Sequence, residues 1–221
     1  LEWKTTQFNY DRGTKISVDR MDNQETFDIS FGKAGSELIR TKVSPEADAF
    51  TFATLAGKAG ISIAPATTYN NAEEFLTALI TAKNQMDEDE VPEENRILYA
   101  TPTLLNGIMA LDTTKSREIL NTFSMRKSVP QSRFYTAIDL LDGKSEGEEA
   151  GHYKKATNGK DINFMIIHKP AIIKFDKHIA HDIISPENNP NSDAYILKYR
   201  KYGLVDVYDN KVAGIYLSHK A

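Results

Sequence analysis

The feature that most constrains this chain is a series of apolar residues at helical spacing that outlasts an ordinary helix. Phe27, Phe31, Ala34 and Leu38 recur every three or four residues, and Val43, Ala47 and Phe50 continue the series, which places them on one face of a helix. Asp22 followed by Glu25 predicts the entry, as a carboxylate version of the capping box. Pro45 stands inside the pattern and has no amide to offer the carbonyl of Thr41, so a bend or restart is expected there. If the two halves stay nearly collinear from Glu25 to Lys58, the element is ~50 Å long at ~1.5 Å per residue. A strut of that length is unusual in a compact enzyme domain.

The remaining segments mix both periodicities. Trp3, Thr5, Phe8 and Tyr10 alternate with polar residues, Asp11-Arg12-Gly13 follows, and alternation resumes at Ile16 and Val18. That predicts a β-hairpin with Gly13 supplying the left-handed turn position. The sequence opens at Leu1, without Met, inside this alternation, which predicts that the natural N-terminal part is missing. Asn71 with Glu74 starts a second helix whose apolar stripe is Phe75, Leu79, Ala82 and Met86. It ends in the acidic run DEDEVPEE (87–94). RILYA (96–100) is a buried-type strand, and Thr101-Pro102 opens a short helix reaching Met109. The stretch 113–160 is polar and Gly-punctuated, with strand character only in VPQSRFYTAIDLL (129–141) and a long loop at GKSEGEEAG (143–151). INFMIIHKPAIIKFDK (162–177) predicts two strands around His168-Lys169-Pro170, and SPENNPNSD (185–193) a loop. Two alternating segments joined at Asp209-Asn210-Lys211, with Tyr195, Tyr199, Tyr208 and Tyr216 along them, predict a terminal hairpin or meander. Without regular βαβ alternation, the class is α+β.

Composition excludes several functions. The chain has no cysteine, which removes disulfides, thiolate chemistry and every Cys-containing zinc motif. Twenty-seven basic against thirty-one acidic residues give a net charge of −4, whereas a dedicated nucleic-acid binder needs a basic stripe. The longest apolar runs are interrupted well before the ~20 residues of a membrane span, and no leader-like segment opens the sequence.

Candidate sites are few. His178, His181 and Asp182 in KHIAHD (177–182) could share a helical face at metal-ligand spacing, but no motif supplies a third ligand, and surface or interface histidines are the better reading. Asp87, Glu88, Asp89, Glu90, Glu93 and Glu94 lack the spacing of a calcium loop and read as a solvated charge run. The nucleophile elbow, the phosphate-binding loop, the dinucleotide fingerprint and the zincin helix are all missing from the sequence. Tyrosines interleaved with bases in YILKYRKY (195–202) suggest a stacking platform for single strands, against which the balanced charge favours a packed strand or subunit contact. No catalytic, cofactor-binding or metal residue is assigned.

The order of several segments resembles the major capsid proteins of tailed phages and prophages of low-GC Gram-positive bacteria, in the Hong Kong 97-like fold group. DRGTKISVDRMDNQET (11–26) looks like the family's hairpin end and helix entry, and IRTKVSPEADAF (39–50) like its long-helix segment with an internal Pro-Glu. VPQSRFYT (129–136), INFMIIHKPAI (162–172) and YRKYGLVDVYDNKVAGIY (199–216) follow in order. The resemblance implies a long spine helix with a peripheral β-sheet plus an axial α/β domain. It places a remnant of the extended loop at 1–24, the peripheral domain at 25–61 and 192–221, and the axial domain at 62–191. It implies a non-enzymatic coat subunit that self-assembles into an icosahedral head around double-stranded DNA, touching that DNA weakly and non-specifically. Its partners would be its own copies in pentamers and hexamers, with scaffolding, portal and maturation protease, and it would sit in the virion after passing through the host cytoplasm. A metal-assisted hydrolase using His178 and His181 is the competing reading, and a tail or adhesion module a third. With the arm and part of the loop missing, the 221-residue chain is expected to be a monomer or weak oligomer, the remaining contacts falling near or below ~1,000 Å².

Overall fold

The computed structural model describes residues 5–26, 29–148 and 151–221. In chain order the elements begin with β1 (Tyr10–Asp19), α1 (Arg20–Glu25), α2 (Ile29–Leu38), a π-helical turn (Ile39–Val43), α3 (Ser44–Ala56), β2 (Ser62–Ile63) and α4 (Ala72–Glu88). Then come β3 (Arg96–Ala100), α5 (Pro102–Leu111), α6 (Thr114–Asn121), β4 (Met125–Ser128), β5 (Ile138–Leu140) and β6 (Tyr153–Lys155). The chain closes with β7 (Ile162–His168), β8 (Ile172–Ile184), β9 (Ala194–Val207) and β10 (Ile215–His219). Two compact units divide it, Leu1–Ala47 with Lys174–Val205 and Asp48–Ile173 with Asp206–Ala221. These limits differ from the boundaries expected at 61/62 and 191/192.

The smaller unit is built on a three-stranded sheet in the order β1-β9-β8. β1 runs antiparallel to β9 in one unbroken register from Tyr10 opposite Gly203 to Asp19 opposite Ala194. The hairpin expected at Gly13 is therefore corrected: Gly13 lies mid-strand opposite Arg200, and its backbone is not left-handed. Glycine there serves close approach, since a Cβ would come 3.3 Å from the Tyr199 carbonyl oxygen.

Helix entry also lies elsewhere than Asp22. Asp19 caps α1, its carboxylate accepting from the Met21 amide at 2.8 Å. Asn23, buried, then accepts from the Phe31 amide at 3.1 Å, tying α1 to the first turn of α2. Of the apolar residues on the expected helix face, Phe31 sets its ring 5.4 Å from that of Tyr195, tilted by 38°, while Phe27 lies outside the described residues. Gly35 lets α2 approach β9 closely, because a Cβ there would meet Leu197 at 3.2 Å.

From Ile29 to Ala56 the chain stays helical, and the irregularity expected at Pro45 takes the form of the π turn just before it. The Ser44 amide reaches back five residues to the Ile39 carbonyl, so one extra residue enters the turn and Pro45 joins α3 where its missing amide costs least.

In the larger unit a five-stranded sheet runs β2-β10-β7-β3-β4. β7 is antiparallel to both β10 and β3, and the outer pairs β10 with β2 and β3 with β4 are parallel. Every residue of β7 is buried, which is why INFMIIH reads as one apolar run. On one face Phe75, Leu79, Ala82 and Met86 of α4 join Leu105 and Ile108 of α5 and Leu120 of α6 against Leu98, Phe164, Ile166 and Tyr216. Each buried Leu, Ile, Phe or Met there contributes roughly 1.5–3 kcal/mol. Also in this unit, Phe52 of α3 meets Tyr99 and Phe134 edge-on at 5.3 and 4.8 Å. The start of α4 is as expected, with the Asn71 side chain accepting from the Glu74 amide at 2.8 Å and Glu74 accepting from the Asn70 amide at 2.9 Å. β5 and β6 form a separate two-stranded sheet.

Two expectations are corrected here. The polar stretch 113–160 holds α6, β4 and β6 besides the expected strand. The terminal hairpin does not form, since β9 and β10 belong to different sheets.

Candidate assembly surfaces

His178 and His181 both lie exposed on β8, a strand and not a helix, so the helical-face spacing that suggested ligation is not realised. The His181 ring packs 5.0 Å from the ring of Tyr199, and Asp182 lies 3.9 Å from Lys198. Among the described residues no group of three or more histidines and carboxylates is placed to hold a metal ion.

The acidic run has a structural part that the sequence reading missed. Arg96, whose side chain is 3% exposed, pairs with Asp87 at 2.7 Å and donates to the carbonyls of Pro92 and Val91. Lys83 bridges Asp87 and Glu93 at 2.9 and 2.8 Å. These contacts hold the Asp87 carboxyl below its ordinary range, Lys83 contributing most against the opposing effect of burial. The signal was an arginine opening a strand of buried type directly after a carboxylate run.

YILKYRKY does not form a stacking platform. Tyr195 faces Phe31, Tyr199 is buried, and Tyr202 packs 4.8 Å from Phe8 beneath the Lys177 ammonium. Glu46, in the first turn of α3, is 7% exposed and accepts from Arg12 at 2.7 and 3.1 Å and from the Tyr10 hydroxyl at 3.2 Å. Burial, reinforced by the Glu46 carboxylate, pushes the Tyr10 phenol far up, so it stays a neutral donor. This cluster clamps the start of α3 onto β1.

What the fold exposes is strand edge and sheet face. β8 is an edge of the three-stranded sheet and carries Phe175, Ile179 and Ile183 at 56, 49 and 60% exposure. β1, the other edge, presents Asp11, Gly13, Lys15, Ser17 and Asp19 to solvent. In the five-stranded sheet the edge strand β4 is exposed throughout. Long open edges are sites for pairing with another chain unless something covers them.

The sequence matches no family profile and no curated protein. Solved structures do match. A virus-like particle from Pyrococcus furiosus superposes with a TM-score of 0.61 at 11% identity, over 95% of this chain and 75% of that one. The capsid structure of cyanophage P-SCSP1u gives 0.57 at 12% identity, over 97% and 73%, and the mature capsid of bacteriophage PhiM1 gives 0.53 at 13%, over 100% and 76%. The chain has the Hong Kong 97-like capsid fold. At these identities the likeness lies in the arrangement of elements and not in shared side chains. Within the Hong Kong 97-like fold of this chain, β1, β8 and β4 are sheet edges.

Proposed function

We propose that this chain is a major capsid subunit, a structural and non-enzymatic protein that self-assembles into an icosahedral head enclosing double-stranded DNA. The observation that carries the reading is the likeness of nearly the whole chain to chains of phage capsids and a virus-like particle. The open sheet edges support it, because a shell subunit uses several shallow contacts in place of one deep pocket. In this reading the spine helix and the three-stranded sheet form the peripheral domain, with residues before Arg20 as the return side of an extended loop. Helices α4 to α6 and the five-stranded sheet form the axial domain, so β10 moves from the peripheral side, where the sequence reading put it, to the axial side. Partners are further copies in pentamers and hexamers, with scaffolding, portal and maturation protease in assembly. The net charge of −4 suits a wall that touches packaged DNA weakly. The protein resides in the virion, and in the host cytoplasm before assembly.

Sedimentation velocity of the protein expressed alone from its complete gene tests this, with capsomer-sized or larger particles expected and a single compact monomer at every concentration counting against it. The hydrolase reading is tested separately. His178→Ala with His181→Ala is expected to shift the melting free energy by no more than about 0.5 kcal/mol, as exposed substitutions do, and to leave no zinc- or manganese-dependent melting shift to lose. A metal-induced shift abolished by the double variant would favour the hydrolase.

A further inference from the structure

Resting on the capsid-subunit reading, we propose that the outward face of the β1-β9-β8 sheet is a docking face for the acidic corner, residues 87–94, of a second copy of this chain. The face begins with an unfavourable pair. Lys15 and Lys198 lie directly opposite one another across β1 and β9, both exposed, an arrangement that disfavours the sheet in isolation. Arg200 lies two residues along, opposite Gly13, and Asp11 already pairs with it at 2.6 Å. The carboxylate nearest Lys198 is Asp182 at 3.9 Å, with both side chains at least half exposed, and no carboxylate among the described residues forms an ion pair with Lys15. A carboxylate arriving from outside would relieve the opposed ammonium groups.

The acidic corner has the complementary excess. It holds six carboxylates against the two cations that reach them, Lys83 and Arg96, an excess of four negative charges that equals the net charge of the whole chain. Asp87 and Glu93 are held by those cations, and Asp89 accepts from Ser62 and Gln85. Glu88, Glu90 and Glu94 are exposed and take part in no ion pair among the described residues. The corner is also pre-shaped, its turn closed by the Glu90 amide on the Asp87 carbonyl at 3.1 Å and the Val91 amide on the Met86 carbonyl at 3.0 Å. Docking it therefore orders little new backbone.

The face fits a compact acidic key better than a nucleic acid. Asp11, Asp19 and Asp182 are interspersed with its cations and would repel a continuous phosphate backbone, whereas the closely spaced Glu88, Glu90 and Glu94 can address Lys15 and Lys198 alone. Because face and corner are different patches, the contact is head-to-tail and generates a ring or an open chain of copies.

The test is sedimentation velocity of the intact chain over a concentration series at about 20 mM and about 500 mM salt, since exposed charges more than a Debye length apart are screened at the higher value. Wild type is expected to associate at low salt and dissociate at high salt. Lys15→Glu with Lys198→Glu, and separately Glu88→Lys with Glu90→Lys and Glu94→Lys, are each expected to weaken association about tenfold, the combined effect of several exposed pairs. An equimolar mixture of the two variants is expected to associate again, because the acidified face then meets the basic corner. Circular dichroism melts confirm that each variant folds. A corner variant that associates more tightly would mean that like corners meet and repel, which overturns the proposal. Labelled duplex DNA bound by wild type and released by the lysine variant, with self-association unchanged, overturns it too. If rings or shells form insensitively to salt and to both variants, this contact is wrong and the subunit reading stands. If the chain does not self-associate at low salt, the contact is likewise wrong.

Discussion

Arg96 shows how one residue can carry more of a fold than its position in the sequence suggests. It opens β3, a strand whose other inward residues, Leu98 and Ala100, are apolar, yet its guanidinium is buried and satisfied by two carbonyls and Asp87. Arg96→Met keeps the volume and strands those acceptors. It is expected to cost about 1.5–3 kcal/mol, the range for hydrogen bonds to a charged group, with Asp87 contributing less because it is partly exposed. Urea unfolding of the variant measures this. His168 gives a pH prediction. It is buried at the end of β7, and burial, with Lys211 and Arg96 nearby, lowers its pKa below the ordinary 6.5. The unfolded chain then binds the proton more readily, so the neutral ring's contribution is complete above about pH 6.5 and is lost as pH falls through the depressed folded value. Melting temperature is expected to fall between about pH 7.5 and 5, and His168→Gln to flatten that fall. Paired carboxylates such as Asp87 and Asp161, whose values lie below 3.8, produce a separate loss at lower pH. His168 was read only as part of the break between two strands, because burial of a polar residue is set by what packs over it and not by its neighbours in the chain.

At the scale of elements, the legible ones were those whose pattern is local. Asn71 with Glu74, the Phe75 to Met86 stripe, RILYA and Thr101-Pro102 all declare their structure within a few residues, and each forms as read. α6 was missed because its turns bury only Ser116 and Leu120, too little apolar signal among charged residues. The hairpin at Gly13 was misread because a glycine needed for close strand approach and one needed for a turn look the same in sequence. The terminal hairpin failed for a non-local reason: β10 pairs with β7, some fifty residues earlier. β8 carries the prediction at this scale. Ile179→Lys with Ile183→Lys changes two exposed positions, so the unfolding free energy is expected to move by no more than about 0.5 kcal/mol. A charged edge resists pairing, so light scattering is expected to show less self-association. A large loss of stability would mean the strand is covered within the chain.

For the whole molecule, the fold was legible through the order of several weak segments and not through any single one, and the capsid structures it matches share only 11–13% of its residues. The histidine pair, the acidic run and the tyrosines each had a structural explanation that required coordinates to see. The central claim, that this is a shell subunit, is tested most directly by electron microscopy of the protein expressed from its complete gene, alone, in a bacterial host. Closed shells or five- and six-membered rings of uniform diameter are the predicted result, and uniformly dispersed single subunits at high concentration would contradict it.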